Sequence, residues 1–231
     1  KGFRAGAVAA GLKSNGNLDL TLIENSGPHF QAAAVFTSNQ VVAAPVIWSR
    51  EVMKGQQVRA VVLNSGGANA CTGSEGFTDT HLTAELVGTK LGISSGEVVV
   101  CSTGLIGERL PMEKIEKGIA AIQLDESGFQ DSAKAIMTTD SVPKMASVDR
   151  YGVTISGIAK GAGMLAPTLA TMLSVVMTDA EVDIEEADGA FDRAVEVSYN
   201  RIDSDGCTST NDTVLFMASG ASGIKLSREQ L

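Results

Sequence analysis

Apolar positions along this chain fall into short runs whose spacing changes from two to about three and a half. Residues 18–23 (Leu-Asp-Leu-Thr-Leu-Ile) alternate and read as a strand. Residues 32–36 and 58–63 read as further strands, as do 97–101, 153–159, 173–177 and 211–219. Residues 41–48 (Val-Val-Ala-Ala-Pro-Val-Ile-Trp) also read as a strand, with Pro45 pointing to an edge or a bulge. Helical spacing takes over at 78–91, where Leu82, Leu86, Val87 and Leu91 share a face. It returns from Pro111 through Ile115, Ile119 and Ile122, at 129–137, and at 183–197, where Asp183 is the expected N-cap. The turn at 25–28 and the Gly- and Asn-rich loop at 64–73 separate these elements. Strands and helices mix without a strict βαβ rhythm, so the predicted class is α/β or α+β, built in layers.

Composition narrows the picture. The 231 residues are 44% hydrophobic and 19% charged, enough for one large domain or two small ones. A net charge of −9 with no basic cluster argues against nucleic acid and against an anionic membrane as partners. No apolar run nears the roughly 20 residues that span a bilayer, and no secretory core follows the N-terminus. Cys71, Cys101 and Cys207 are odd in number and far apart; they suit the reducing cytoplasm and form no metal-ligand pattern. The only histidines, His29 and His81, read as surface or capping residues. A hydrolase with a histidine base would have to recruit one of them. Residues 227–230 (Ser-Arg-Glu-Gln) have the form of a capping box cut short at Leu231, from which the natural protein is expected to continue.

The chemistry is expected at 160–173. Lys160 precedes a Gly-Ala-Gly turn, where glycine lets backbone approach a ligand and the lysine can hold a carboxylate. Thr171 supplies a hydroxyl ahead of an apolar run. A threonine is a nucleophile when a base adjoins it, and its own α-amino group is such a base if the chain is cut between Ala170 and Thr171. A rival reading takes 161–166 as the dinucleotide fingerprint G-x-G-x-x-A of a non-catalytic binding domain, although Pro167 would interrupt the helix that must follow. Elsewhere, Ser102, Thr103 and Gly104 end a buried strand, where backbone N–H groups and a hydroxyl suit an oxyanion or merely form a turn. Thr138, Thr139 and Asp140 end a helix, where the hydroxyls grip a substrate or satisfy helix carbonyls. The 64–73 loop has the composition of an anion cradle but lacks the Gly-Lys-Ser/Thr end of a P-loop.

In order along the chain, the stretches 34–37, 63–73, 101–107, 135–140, 160–167, 169–173 (Leu-Ala-Thr-Met-Leu) and 209–213 (Ser-Thr-Asn-Asp-Thr) resemble the bifunctional ornithine acetyltransferase / glutamate N-acetyltransferase family of arginine biosynthesis. The resemblance implies sheets sandwiched between helices in an N-terminal-nucleophile-like architecture. It implies self-cleavage between Ala170 and Thr171 into an α chain, residues 1–170, and a β chain that starts at 171 and includes 171–231. It makes Thr171 the nucleophile that carries the acetyl group from N2-acetylornithine to glutamate. Thr103 and Gly104 become the oxyanion hole, and Thr138 and Lys160 become substrate-binding positions. No metal or organic cofactor is implied, although some members accept acetyl-CoA as donor. The processed chains are expected to form a cytoplasmic α2β2 heterotetramer, and further substrate-binding residues to lie beyond Leu231. A related self-cleaving aminopeptidase is the other enzyme reading, which Lys160 disfavours by pointing to acidic amino-acid substrates.

Overall fold

The computed structural model describes residues 1–164 and 172–230. Two sheets organise it. The first runs in the order β1 (Phe3–Val8), β2 (Leu20–Asn25), β4 (Ala60–Asn64), β5 (Val98–Ser102), and the second in the order β3 (Gln31–Phe36), β9 (Thr213–Ala218), β8 (Leu173–Thr178), β7 (Val153–Lys160), β6 (Lys144–Arg150). Neighbours are antiparallel except β4 with β5 and β8 with β9, which are parallel.

The period of two explains how the sheets stack. Ile23, Val61, Leu63, Val99 and Cys101 of the first sheet and Ile158, Leu173, Val175, Met177, Leu215 and Met217 of the second point at one another in a shared core. The alternate residues of the first sheet, Leu20, Leu22, Ala60, Val62, Val98 and Val100, face outward against helices α2 (Gly73–Leu91) and α3 (Met112–Ala121). Those of the second, Val214, Phe216 and Ala218, face α5 (Ile184–Val197) through Ala187, Phe191 and Val195. The order helix, sheet, sheet, helix confirms the predicted layered α/β class. Helix α4 (Phe129–Ala135) adds Ala133 to the shared core, with Ile136 just beyond it. Asp183 caps α5 as expected, accepting from the N–H groups of Glu185 and Glu186. No helix of the described residues is long and apolar enough to cross a membrane.

Three expectations need correction. Residues 41–48 do not form a strand: α1 spans Ala44–Met53, with Pro45 in the first turn, where a missing N–H costs nothing. An apolar run this short fits either element, and packing decides it. The helix lies along β5, the edge of the first sheet. Ser49 Oγ donates to Val100 O at 2.9 Å and accepts from Val100 N at 3.1 Å, and Trp48 Nε1 donates to Val98 O at 3.0 Å, so side chains complete the strand's open edge. Helix α2 starts at Gly73, ahead of the predicted 78, and its buried face is Gly76, Asp79, Thr80, Thr83, Ala84, Val87 and Gly88. Leu82, expected inside, is 40% exposed. Strand β6 was not predicted, because all seven of its residues are exposed and carry no apolar alternation.

The dinucleotide reading also fails. Strands β7 and β8, which flank the 161–166 turn, pair directly and antiparallel, Lys160 opposite Leu173. A dinucleotide βα unit leads through a helix to a parallel strand. His29 lies in a loop, its Nε2 3.9 Å from Glu181, and His81 lies inside α2 against Trp48, ring centroids 4.9 Å apart.

Candidate active site

The C-terminal ends of β4, β5 and β7 meet the N-terminal ends of β8 and β9 at one end of the sandwich. Asn211, just ahead of β9, joins the two layers there: its Nδ2 donates to Ala68 O at 2.6 Å and to Ser102 O at 2.9 Å. A buried side-chain amide with both protons bonded across an interface fixes the register of the two sheets.

Thr103 and Gly104 follow β5 directly. The Thr103 N–H donates to Asn64 O at 3.0 Å, so the donors this pair can offer a ligand are the Thr103 hydroxyl and the Gly104 N–H. Gly104 has φ of 128°, and a Cβ there would sit 2.9 Å from Gly67 N, so only glycine fits this turn. The loop from 103 to 110 is fastened on both sides. Ala68 N donates to Leu105 O at 2.8 Å and Gly107 N to Ala70 O at 2.9 Å. Arg109 forks onto Asp79 of α2, with Nε and Nη2 at 2.8 and 2.7 Å from its two oxygens, and Asp79 holds the guanidinium charged. The 64–73 loop is therefore a brace. Its Gly66 and Gly67 N–H groups turn inward to Asn64 Oδ1, at 3.3 and 3.4 Å, and do not form the anion cradle its composition suggested.

Thr138 and Lys160 come together through Asp140. Asp140 Oδ2 accepts from Thr138 N at 3.1 Å, and Oδ1 accepts from Gly161 N at 2.9 Å and from Lys144 Nζ. Burial works to raise the Asp140 pKa, yet Lys144 and these N–H groups hold it below the ordinary value. Thr138 is exposed at the rim of a cavity of about 450 Å3 lined also by Lys13, Asn17, Met137 and Asp140. Lys13 Nζ closes its floor, donating to Met137 O at 2.7 Å and Leu18 O at 3.1 Å.

Lys160 ends β7 wholly enclosed. Burial pushes its ammonium down to about 8, opposed by the charges of Asp140 and Asp212. Asp212, equally buried, precedes β9. Its Oδ1 accepts from Met172 N at 2.8 Å, and Met172 O accepts from Thr213 N at 2.9 Å. Burial pushes the Asp212 carboxyl up to about 7, against the pull of the Met172 N–H, the Ser209 and Thr37 hydroxyls and Lys160. Ala170 and Thr171 lie outside the described residues; Met172 is the described neighbour of Thr171.

The structure thus gathers Thr103, Gly104, Lys160 and the neighbour of Thr171 at one end of the two sheets, with Thr138 tied through the Asp140 carboxylate to Gly161, the residue after Lys160. The sequence reading had no role for Asp140, Asp212, Asn211 or the Arg109–Asp79 pair. The first three stand inside stretches that carried the resemblance. Their roles depend on partners far along the chain, which no local pattern reveals.

Comparison with known proteins identifies what the chain is similar to. A family model described as the ArgJ family matches residues 4–231. The arginine biosynthesis bifunctional protein ArgJ of Streptomyces coelicolor is 58% identical over 226 residues, covering 97% of this chain; the chain spans 59% of that protein's length. Among solved structures, ornithine acetyltransferase of Mycobacterium tuberculosis complexed with ornithine is 52% identical with a TM-score of 0.69, over 73% of this chain and 93% of that one. An L-aminopeptidase D-Ala-esterase/amidase from Ochrobactrum anthropi, a variant of the Ntn hydrolase fold, is 12% identical with a TM-score of 0.51 and shares the fold alone.

Proposed function

The chain belongs to the ArgJ family, and from that premise we propose that it is part of a self-cleaving acetyltransferase that moves the acetyl group of N2-acetylornithine to glutamate. The observation that carries the reading is convergence. Gly161, next after Lys160, and Met172, next after Thr171, are anchored through their N–H groups to Asp140 and Asp212, and Asn211 ties the start of β9 to the strand end that bears Thr103 and Gly104.

In this mechanism the bond between Ala170 and Thr171 is cut, and Thr171 begins a new chain. Its α-amino group, with an ordinary pKa of about 7.7–8.0, accepts the proton of its own hydroxyl as Oγ attacks the acetyl carbonyl. Negative charge grows on the acetyl oxygen and is met by the Thr103 hydroxyl and the Gly104 N–H. The C–N bond of N2-acetylornithine breaks, its nitrogen takes up the proton, and ornithine leaves an acetyl-threonine ester. The neutral α-amino group of glutamate then attacks the same carbonyl, with the same donors on the oxyanion; the ester C–O bond breaks, the proton lost by the glutamate nitrogen passes through the Thr171 amine to Oγ, and N-acetylglutamate leaves with the Thr171 hydroxyl restored. Lys160 is already flanked by Asp140 and Asp212, so it takes a substrate carboxylate by exchanging part of that contact. Thr138 stands at the rim of the neighbouring cavity, where the amino-acid end of either substrate fits.

The lengths of the relatives support a cut. The polypeptide of the M. tuberculosis structure is shorter than this chain, since 73% of this chain accounts for 93% of it, whereas the S. coelicolor protein is longer. An α2β2 assembly of processed chains, and acetyl-CoA as a second donor, belong to the same proposal and are checked by native mass spectrometry and by assay with each donor. Denaturing mass analysis of the full-length protein is the central test. It is expected to give two chains that meet at Ala170 and Thr171, with Thr171→Ala left whole and without acetyl transfer. An active enzyme that is never cut there would sink the reading.

A further inference from the structure

The floor of the cavity beside Thr138 carries a charge that the mechanism leaves without a task. We propose that Lys13 is a further substrate-binding residue, sharing with Lys160 the α-carboxylate that N2-acetylornithine and glutamate have in common. The inference rests on the reading of the site as an acetyltransferase pocket that holds the two substrates in turn.

Lys13 reaches the cavity on a turn that is held fast. The chain between β1 and β2 folds round the wholly buried Asp19, whose carboxylate accepts from Ala10 N at 2.7 Å, Leu12 N at 2.6 Å and Lys13 N at 2.9 Å. Asp19 thus fixes the backbone of Lys13 and leaves its side chain to other partners. The half-buried ammonium donates to Met137 O and Leu18 O, both of them neutral carbonyls. An ammonium has three protons, and the third has no hydrogen-bond partner among the described residues. Burial pulls the Lys13 pKa below its ordinary value, against the more distant charges of Asp19 and Asp140. A half-buried cation that touches no carboxylate is unfavourable by itself and suited to receiving an anion.

The neighbouring cations are placed differently. Lys144 is paired with Asp140 and Lys134 with Asp131. Lys160 is wholly enclosed and does not line the cavity, whereas Lys13 does. An anion entering there meets the Lys13 ammonium first, and Lys160 lies near enough to feel the charge of Lys13. The substrates decide which carboxylate this is. The glutamate side chain ends in a carboxylate and the ornithine side chain in an ammonium. A fixed cation at the side-chain end would attract one substrate and repel the other in a pocket that must hold each. Set against the α-carboxylate, it serves both half-reactions.

A purely structural lysine would do no more than hold Met137 O, just past the end of α4. Lys13→Gln separates the two roles, because an amide still donates to the carbonyls but carries no charge. In the full-length, processed enzyme, kcat/KM is compared for N2-acetylornithine and its α-carboxamide. The parent is expected to prefer the carboxylate on the order of 10-fold or more, and Lys13→Gln to lose about 10-fold of that preference. The KM for glutamate should rise by a similar factor. A parent without the preference, or a preference unchanged in a folded Lys13→Gln, overturns the proposal. So does an effect confined to glutamate, which would set the lysine against the side-chain carboxylate. If the variant does not fold or is not cleaved, a crystal structure of the parent with ornithine decides. A carboxylate oxygen bonded to Lys13 Nζ supports the role, and one farther than ~3.5 Å away overturns it. Thr171→Ala distinguishes the two levels. Undiminished transfer by Thr171→Ala removes the acetyltransferase mechanism on which the inference rests, whereas lost transfer there together with an unchanged preference in Lys13→Gln removes the role of Lys13 alone.

Discussion

Asp140 and Asp212 flank one buried lysine, yet their carboxyls shift in opposite directions. Asp140 collects two N–H groups and the Lys144 ammonium, and its pKa is lowered. Its contribution to stability is complete above the ordinary carboxylate pKa and is lost as pH falls through the lowered one. Asp140→Asn is therefore expected to cost most at neutral pH, about 3 kcal/mol in chemical denaturation, and progressively less below pH 4. Asp212 is raised to about 7, so its folded state favours the proton, and a penalty develops as pH climbs from its unfolded value through 7. Asp212→Asn should thus be more stable than the parent at pH 8, by ~2 kcal/mol, with the gap closing toward pH 4. A gap of constant size across that range would rule out ionisation as its cause. Neither sign was legible beforehand. Asp140 stood in plain view beside Thr138 and Thr139, but the number of donors a carboxylate receives depends on Gly161 and Lys144, and on how completely the chain closes over them.

At the scale of elements, the sequence was informative where a strand alternates and silent where side chains make unexpected alliances. Helices α3 and α5 follow the apolar period closely because each has one face on a core, and β8 and β9 read as short apolar runs because both of their faces are covered. Helix α1 escaped, since Val41 to Trp48 has no period long enough to tell helix from strand, and the bonds from Ser49 and Trp48 to β5 are long-range. The tether of the 103–110 loop escaped for the same reason, Arg109 and Asp79 lying thirty positions apart. Because Arg109 holds the loop from behind and its guanidinium is half exposed, Arg109→Ala is expected to reduce kcat on the order of 10-fold with KM nearly unchanged and little loss of melting temperature. Steady-state kinetics on the full-length protein checks this. A change confined to KM would place Arg109 in substrate binding.

For the molecule as a whole, layering was predictable from composition and period, but the way the two layers face each other was not. The oxyanion candidates ride on the first sheet, whereas Lys160, Asp212 and the residue after Thr171 ride on the second. The proposed nucleophile therefore reaches its partners only through the contact between sheets. Asn211 spans that contact, and Asn211→Ala would leave the carbonyls of Ala68 and Ser102 without their donor, costing ~1–3 kcal/mol and lowering kcat more than that loss of stability explains. Crystallography of the variant would reveal the displacement of one sheet over the other. It follows that the shared core acts as a shim. Trimming a methyl group from Val175 or Val99, remote from any substrate, would change the spacing across which the acetyl group is handed over, so turnover should register the missing volume before thermal unfolding does.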